Sequence, residues 1–351
     1  MKPSLVTGAN GHVGTNICRL LAERGEAVRA MIRPSADPKL LEPMNVQIVR
    51  GDIMDPTSTA AAVDGCGRVY HTAAGFLMWS KDPERDIIRP SVDGTRIVLE
   101  AAAKAGVDKV VYTSTTGTMG LATRPDQTVD ETQWNEHPHT HYVRGKIAAE
   151  KEAFAISKRT GLQLCSTHPG LIMGPRFAKL SESVKQVADF LNQGTPLYFE
   201  GGFGVVDAED VARGSLLAMD KGRSGERYIL SGEDVTVKKL FDILAELTGL
   251  KAPTIKAPVG VVRALATVME IASKLTGSRP MLDRSQVDEF AGHYGYFDSS
   301  KAKRELGYTY LSARDTLRRT VAWLVDKGFV NERRRQAMKL DPSLANAYES
   351  L

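Results

Sequence analysis

Ser4-Leu5-Val6-Thr7-Gly8-Ala9-Asn10-Gly11-His12-Val13-Gly14 is the stretch on which the fold turns. Four residues suited to a short buried strand run directly into glycines at positions 8, 11 and 14. Glycine adopts positive φ without strain and lets backbone approach another group closely. From Gly14 to position 25 the pattern becomes helical, with Ile17, Leu20 and Leu21 on one face and Gly25 as the stop. Strand, glycine loop and helix in that order aim free N–H groups and the positive end of a helix dipole at one point, where a pyrophosphate fits. A glycine triplet alone also serves ordinary turns, but the flanking strand and helix favour dinucleotide binding. Gly8, Asn10, Gly11, His12, Val13 and Gly14 are the expected phosphate-side residues.

Downstream, the alternation continues. Strands are expected at 27–32, 46–50, 68–72, 109–113 and 162–167, with helices at 56–63, 91–105 and 142–159 between them. That rhythm predicts an α/β fold, a Rossmann-type doubly wound parallel sheet whose strand C-termini share one edge. After Pro169 the alternation loosens. Helices are expected at 180–191, 237–248 and 259–275, a strand end followed by a helix over 207–219, a turn at Gly201-Gly202 and a late strand of the main sheet at 227–230. The expected organisation is a dinucleotide-binding domain over 1–174 with returning segments at about 203–231. A smaller, partly discontinuous C-terminal substrate lobe would occupy 175–202 and 232–330, with a solvated tail over 331–351. The helix at 259–275 is read as a cover for the cleft, because its charges are mixed rather than basic.

Composition bounds the partners. The chain has 351 residues, 42% hydrophobic and 25% charged, with 46 basic against 42 acidic residues. A net charge of +4 is too even to suggest nucleic acid, and no 18-residue apolar run lacks charge, so no membrane span is expected. Cys18, Cys66 and Cys165 are sparse and lack metal-ligand spacing. With a glycine loop this near the N-terminus leaving no room for a signal peptide, a reduced, cytoplasmic protein is expected. His137, His139 and His141 alternate beside Pro138, but no cysteine or carboxylate completes a four-ligand set, so no metal is expected.

At the end of the second strand stands Met31-Ile32-Arg33-Pro34. An NAD-selective site places a carboxylate there; Arg33 would instead pair with a 2′-phosphate. NADP(H) is therefore preferred, with NAD(H) as the alternative. Asp52 and Ile53, after the third strand, are placed near the adenine, although Gly51-Asp52 also reads as a turn.

The chemistry is expected at Tyr142-Val143-Arg144-Gly145-Lys146. Residues four apart share a helix face, so Tyr142 and Lys146 point into one site. A nearby ammonium is expected to pull the phenol below its usual ~10, letting it exchange a proton with a carbonyl or alcohol oxygen. Thr113-Ser114-Thr115-Thr116 follows a strand at the same sheet edge, and Thr115, with Ser114 second, is the candidate to hold the substrate oxygen. Met78 and Trp79 with their neighbours Phe76 and Leu77, together with Gly117, Phe177 and Tyr198, are the candidate substrate walls.

Taken together, these motifs resemble the extended short-chain dehydrogenases/reductases of the NAD-dependent epimerase/dehydratase type. The resemblance extends to His71-Thr72-Ala73-Ala74, Val92-Asp93-Gly94-Thr95, Pro169-Gly170-Leu171-Ile172-Met173-Gly174-Pro175 and Val206-Asp207-Ala208-Glu209-Asp210-Val211-Ala212, over roughly residues 1–310. It looks most like the dihydroflavonol reductase-like and 3β-hydroxysteroid dehydrogenase-like branch. The resemblance implies that Thr72, Ala73, Ala74, Thr113, Pro169 and Gly170 line the cofactor and that Thr115, Tyr142 and Lys146 are catalytic. This sequence departs from the family pattern with Thr115 for serine, Ser91 for asparagine and His168 for arginine. The resulting expectation is an NADP(H)-dependent carbonyl reductase or alcohol dehydrogenase acting on an apolar, aromatic or alicyclic ketone, aldehyde or secondary alcohol. A nucleotide-sugar epimerase and a non-catalytic NADPH-binding sensor are the alternatives. A homodimer is compatible with this reading.

Overall fold

The structure, a computed structural model, describes residues 2–73, 77–276 and 283–348. The chain runs β1 (Ser4–Thr7), α1 (His12–Glu23), β2 (Val28–Ile32), β3 (Gln47–Arg50), α2 (Pro56–Val63), β4 (Arg68–His71), α3 (Arg89–Lys104), β5 (Lys109–Thr113), α4 (His141–Thr160) and β6 (Leu164–Pro169). It continues through β7 (Leu171–Met173), α5 (Glu182–Gln193), β8 (Leu197–Tyr198), β9 (Gly202–Asp207), α6 (Ala208–Lys221), β10 (Arg227–Leu230), β11 (Glu233–Thr236) and α7 (Val237–Thr248). The remainder is β12 (Ile255–Lys256), α8 (Val259–Thr276), α9 (Arg284–Phe290), β13 (Tyr294–Gly295), α10 (Ser300–Leu306), α11 (Ala313–Asp326) and α12 (Glu332–Ala337).

The main sheet has seven strands in the order β10-β6-β5-β4-β1-β2-β3. Every pairing in it is parallel. Parallel strands need crossovers, and these cover both faces. On one side α1 and α6 bury Ile17, Leu21, Val211 and Leu216; on the other, α2, α3 and α4 bury Val63, Leu99, Ala149 and Ile156. The doubly wound architecture is as the alternation predicts. It brings the ends of β1, β4, β5, β6 and β10 to one edge.

A second, smaller sheet surrounds β9. Strand β11 pairs antiparallel on one side, and β7 and β13 pair parallel on the other. Position 202 thus begins a strand instead of completing a turn. A Cβ at Gly202 would stand 2.3 Å from the Tyr296 hydroxyl, so the glycine is there for a close packing contact. A separate core of Val187, Leu191, Leu244, Leu317 and Trp323 joins α5, α7 and α11. The tail is only partly solvated: α12 buries no residue, but Met338, Leu344 and Ala347 pack into that core. Helix α8 leans on α9 through Ala266, Val287 and Ala291 and leaves Val261, Leu265, Val268 and Ile271 exposed. Among the described residues no helix is long and apolar enough to cross a membrane.

Candidate active site

The glycine loop joins β1 to α1. Gly8 has φ +65°, and a Cβ there would come within 2.8 Å of Ala73 Cα. A Cβ at Gly14 would stand 2.3 Å from the Gly8 carbonyl oxygen. The loop is therefore folded tightly on itself and on the end of β4, where the Thr72 hydroxyl donates to the Thr7 carbonyl at 2.7 Å. The N-cap of α1 is Gly11, which supplies no side-chain cap, whereas α4, α5 and α7 are capped by Thr140, Ser181 and Thr236. The first-turn N–H groups of α1 are thus left for an anion. This cradle fits a dinucleotide pyrophosphate. Asn10, Gly11, Val13 and Gly14 belong to this loop and to the first turn of α1, but the ring of His12 turns away from it. His12 Nε2 bonds the carbonyls of Gly174 and Pro175 at 3.1 and 3.0 Å, and burial lowers its pKa to about 4.

Arg33 is exposed at the end of β2 and makes no ion pair among the described residues, which suits it to an incoming phosphate. Its loop is gripped from β3: one nitrogen of Arg50 donates to the carbonyls of Arg33, Pro34 and Ala36. Asp52 closes a turn, its carboxylate accepting from the Met54 N–H at 2.9 Å, and Ile53 packs where Gly94 leaves room on α3. Ala74 and Phe76 lie outside the described residues.

At the central edge the structure brings Thr113, Thr115, Tyr142 and Lys146 together. Thr140 caps α4 and Gly161 ends it in the left-handed conformation, so a 20-residue helix presents Tyr142 and Lys146 one turn apart. The Tyr142 phenol is hydrogen-bonded with the Thr115 side chain. Thr115 Oγ1 also accepts from the Gly117 N–H at 3.2 Å, which fixes the loop that follows β5. Lys146 Nζ donates to the Thr113 carbonyl at 3.0 Å and lies 5.4 Å from the centre of the Tyr112 ring. Burial lowers its pKa to about 8, against the opposing pull of Glu150. The phenol departs from the sequence expectation: burial pushes it well above its usual range, and the Thr115 hydrogen bond only partly offsets this. Burial thus holds the proton on the phenol and makes it a weaker acid than a free tyrosine. Pro169 ends β6 with its carbonyl accepting from Thr116 Oγ1 at 3.1 Å, and Gly170 sits against the Gly204 carbonyl with no room for a Cβ.

Other expected residues are placed elsewhere. Ser114 turns its hydroxyl to Glu150 Oε2 at 2.6 Å, which leaves Thr115 as the hydroxyl facing Tyr142. Phe177 is 2% exposed, with ring centres 5.0 Å from His12 and 5.4 Å from Phe329. It belongs to the core of the small lobe and is no pocket wall. Met78 is buried, Trp79 half-buried, and Tyr198 sits half-buried on the short β8–β12 ribbon. No group of acidic, histidine or cysteine residues that could hold a metal occurs among the described residues.

Two residues beside the site, Glu150 and Arg227, were missed in the sequence, and His168 was noted there only as a departure from the family pattern. Glu150 is fully buried one turn beyond Lys146. It accepts from Arg227 Nε at 2.7 Å and lies 3.3 Å from His168 Nε2. The signal for Glu150 was legible, since positions 142, 146 and 150 share one helix face. Arg227 comes from another strand and had no local signal, and nothing local linked His168 to Glu150.

The model of the NAD dependent epimerase/dehydratase family matches residues 4–231, from the glycine-loop strand to the last strand of the main sheet. The chain belongs to that family. It is an NAD(P)-dependent enzyme of the extended short-chain dehydrogenase/reductase type, and a nicotinamide dinucleotide is its cofactor. This family member is 33% identical over 330 residues to Sterol demethylase protein B of Methylococcus capsulatus, covering 93% of this chain and 99% of the relative. It is 33% identical over 331 residues to a putative dihydroflavonol 4-reductase of Synechocystis, covering 93% and 95%. The crystal structure of gox2253 matches with TM-score 0.83 at 33% identity, covering 94% of this chain and all of that one.

Proposed function

We propose that this chain is an NADPH-dependent carbonyl reductase of apolar, cyclic ketones or aldehydes. The observation that carries the reading is the Tyr142 phenol, hydrogen-bonded with Thr115 and one helical turn from the buried Lys146 ammonium. Thr115 holds the substrate oxygen and Tyr142 gives it a proton as the carbonyl carbon is reduced. Lys146, anchored on the Thr113 carbonyl, stabilises the phenolate left behind. The glycine loop would hold the cofactor's pyrophosphate and Arg33 its 2′-phosphate, and the cofactor when bound would supply the hydride. The names of two relatives, a sterol demethylase protein and a putative dihydroflavonol 4-reductase, agree with a polycyclic substrate.

The test is an absorbance screen at the reduced-nicotinamide band, with NADPH and NADH each offered a panel of aromatic and alicyclic ketones, aldehydes and alcohols. NADPH oxidation by a cyclic ketone or aldehyde is the expected result. Activity confined to a nucleotide sugar with no added cofactor would overturn the reading.

A further inference from the structure

We propose that Glu150 is a positioning residue for this site: clamped by Ser114, His168 and Arg227, its carboxylate locks the Thr115 loop to the helix of Tyr142 and Lys146 and is the buried counter-charge to Lys146. The inference rests on the reductase reading for its catalytic consequence and on geometry for the rest.

Glu150 has no exposure, yet it is ionised. Burial alone would raise its pKa, but His168, Arg227 and Ser114 together bring it down to about 2. Its two oxygens reach the two strands on either side of β6. Oε2 takes the Ser114 hydroxyl at the end of β5, and Oε1 takes Arg227 Nε from β10. His168 of β6 stands 3.3 Å from Oε1 and turns its other ring nitrogen to the Thr115 carbonyl at 3.1 Å. Arg227 extends the lattice, donating to Thr118 Oγ1 at 3.0 Å and to the carbonyls of Glu131 and Gln133 at 2.8 and 2.7 Å. Its guanidinium lies 4.0 Å from the centre of the Trp134 ring. Ser114 lies in the loop at 113–118, His168 reaches it at Thr115 and Arg227 at Thr118, and the carboxylate that gathers them sits on α4. A network of this kind is a poor source of stability, since apolar side chains of similar volume often serve as well or better. Its geometry instead fixes the distance between the hydroxyl that holds the oxygen and the phenol that protonates it.

The counter-charge follows from position. Lys146 is faced by Tyr142 and Glu150 on its own helix, by His71 of β4, and by the Tyr112 ring and Thr113 carbonyl of β5. His71 is held neutral with a pKa of about 3. Glu150 is the carboxylate that opposes the loss of the Lys146 proton. Facing Glu150 in turn are Lys146, His168, Arg227, Ser114 and Tyr112. Removing its charge leaves Arg227 uncompensated nearby and favours neutral Lys146.

Lys146 is titrated by NMR in full-length protein carrying 13C-labelled lysine, its signal assigned through Lys146→Arg. In parallel, the pH dependence of kcat is measured with NADPH and the best carbonyl compound of the screen. In Glu150→Gln the Lys146 titration and the alkaline limb of kcat should both move to lower pH by about 1 unit. The rate should fall on the order of tenfold to a hundredfold, with little change in KM. A merely structural residue would lower the melting temperature and leave the titration where it was. Should the Gln variant not fold, Glu150→Asp keeps the charge but withdraws it from its three partners, and the rate loss should persist. An unmoved titration with unchanged kcat, in a background where Tyr142→Phe is inactive, overturns the proposal. If Tyr142→Phe remains active, the reductase mechanism falls instead, and the Lys146 titration alone decides the counter-charge.

Discussion

Lys146 donates from Nζ to the main-chain carbonyl of Thr113 at 3.0 Å. An ammonium has three donors, and one is spent here on holding the catalytic helix against the end of β5. In the proposed reductase mechanism another is available to the Tyr142 phenolate. This bond gives a buried ammonium a main-chain partner on the face it shares with Tyr142 and Glu150. It also makes the strand end, the loop after it and the helix one rigid piece.

Tyr142→Phe removes the proton donor and leaves the rest of the ring in place. Turnover of the carbonyl substrate should fall by about 10²-fold or more, while NADPH titrated by fluorescence binds with nearly unchanged Kd. Retained turnover in this variant would exclude the phenol as acid.

Arg33→Glu places a carboxylate where the 2′-phosphate of NADPH is proposed to lie. The Kd for NADPH should rise about tenfold or more, and that for NADH should change little or improve. Arg50→Ala should show the same trend more weakly, because Arg50 only holds the loop that carries Arg33 through the carbonyls of Arg33, Pro34 and Ala36. Equal losses for both cofactors would disprove the assignment of Arg33.

Local signals made much of this molecule legible. Helix α2 begins where Asp55 caps and Pro56 opens it, and α7 stops where Gly249 takes the left-handed conformation; both coincide with the expected bounds. The parallel main sheet followed from the alternation alone. What escaped was fixed by distant partners. Ser114 reads like any active-site hydroxyl until Glu150, 36 residues on, is seen to take it. Phe177 reads as a pocket wall until His12 and Phe329 close around it. The tail looks wholly solvated until Arg176 is found donating to the Tyr348 carbonyl at 2.8 Å. The acidity of Tyr142 turned on burial, which a neighbouring lysine in the sequence does not reveal.

His71 gives the fold a pH dependence of known sign. Its ring is buried, bonded to Thr7 Oγ1 at 2.8 Å, and burial with the Lys146 charge lowers its pKa to about 3. In the unfolded chain it takes a proton below about 6.5, and in the fold it does not. Its contribution to stability is therefore fully present above about 6.5 and is lost as pH falls toward 3. Chemical denaturation of wild type and His71→Gln at pH 6.5 and pH 5 should show the wild type losing up to about 2 kcal/mol more than the variant over that interval. Parallel curves would mean that His71 titrates in the fold much as it does outside it.

Gly14 and Gly25 separate two reasons for glycine. A Cβ at Gly14 would stand 2.3 Å from the Gly8 carbonyl oxygen and 2.9 Å from Ala9 Cα, both of them backbone atoms that cannot turn aside. Gly14→Ala should therefore cost roughly 1–3 kcal/mol and, by pushing the loop off its cradle, abolish NADPH binding. Gly25 has open space around it, but its φ is +71°, so Gly25→Ala pays only for the left-handed backbone, about 1 kcal/mol. Cofactor binding should survive there. Melting curves with and without NADPH distinguish the two: the cofactor should raise the melting temperature of Gly25→Ala as it does that of the wild type and have no effect on Gly14→Ala. A cofactor-dependent rise in both variants would show that the loop tolerates the methyl and does not set the pyrophosphate site.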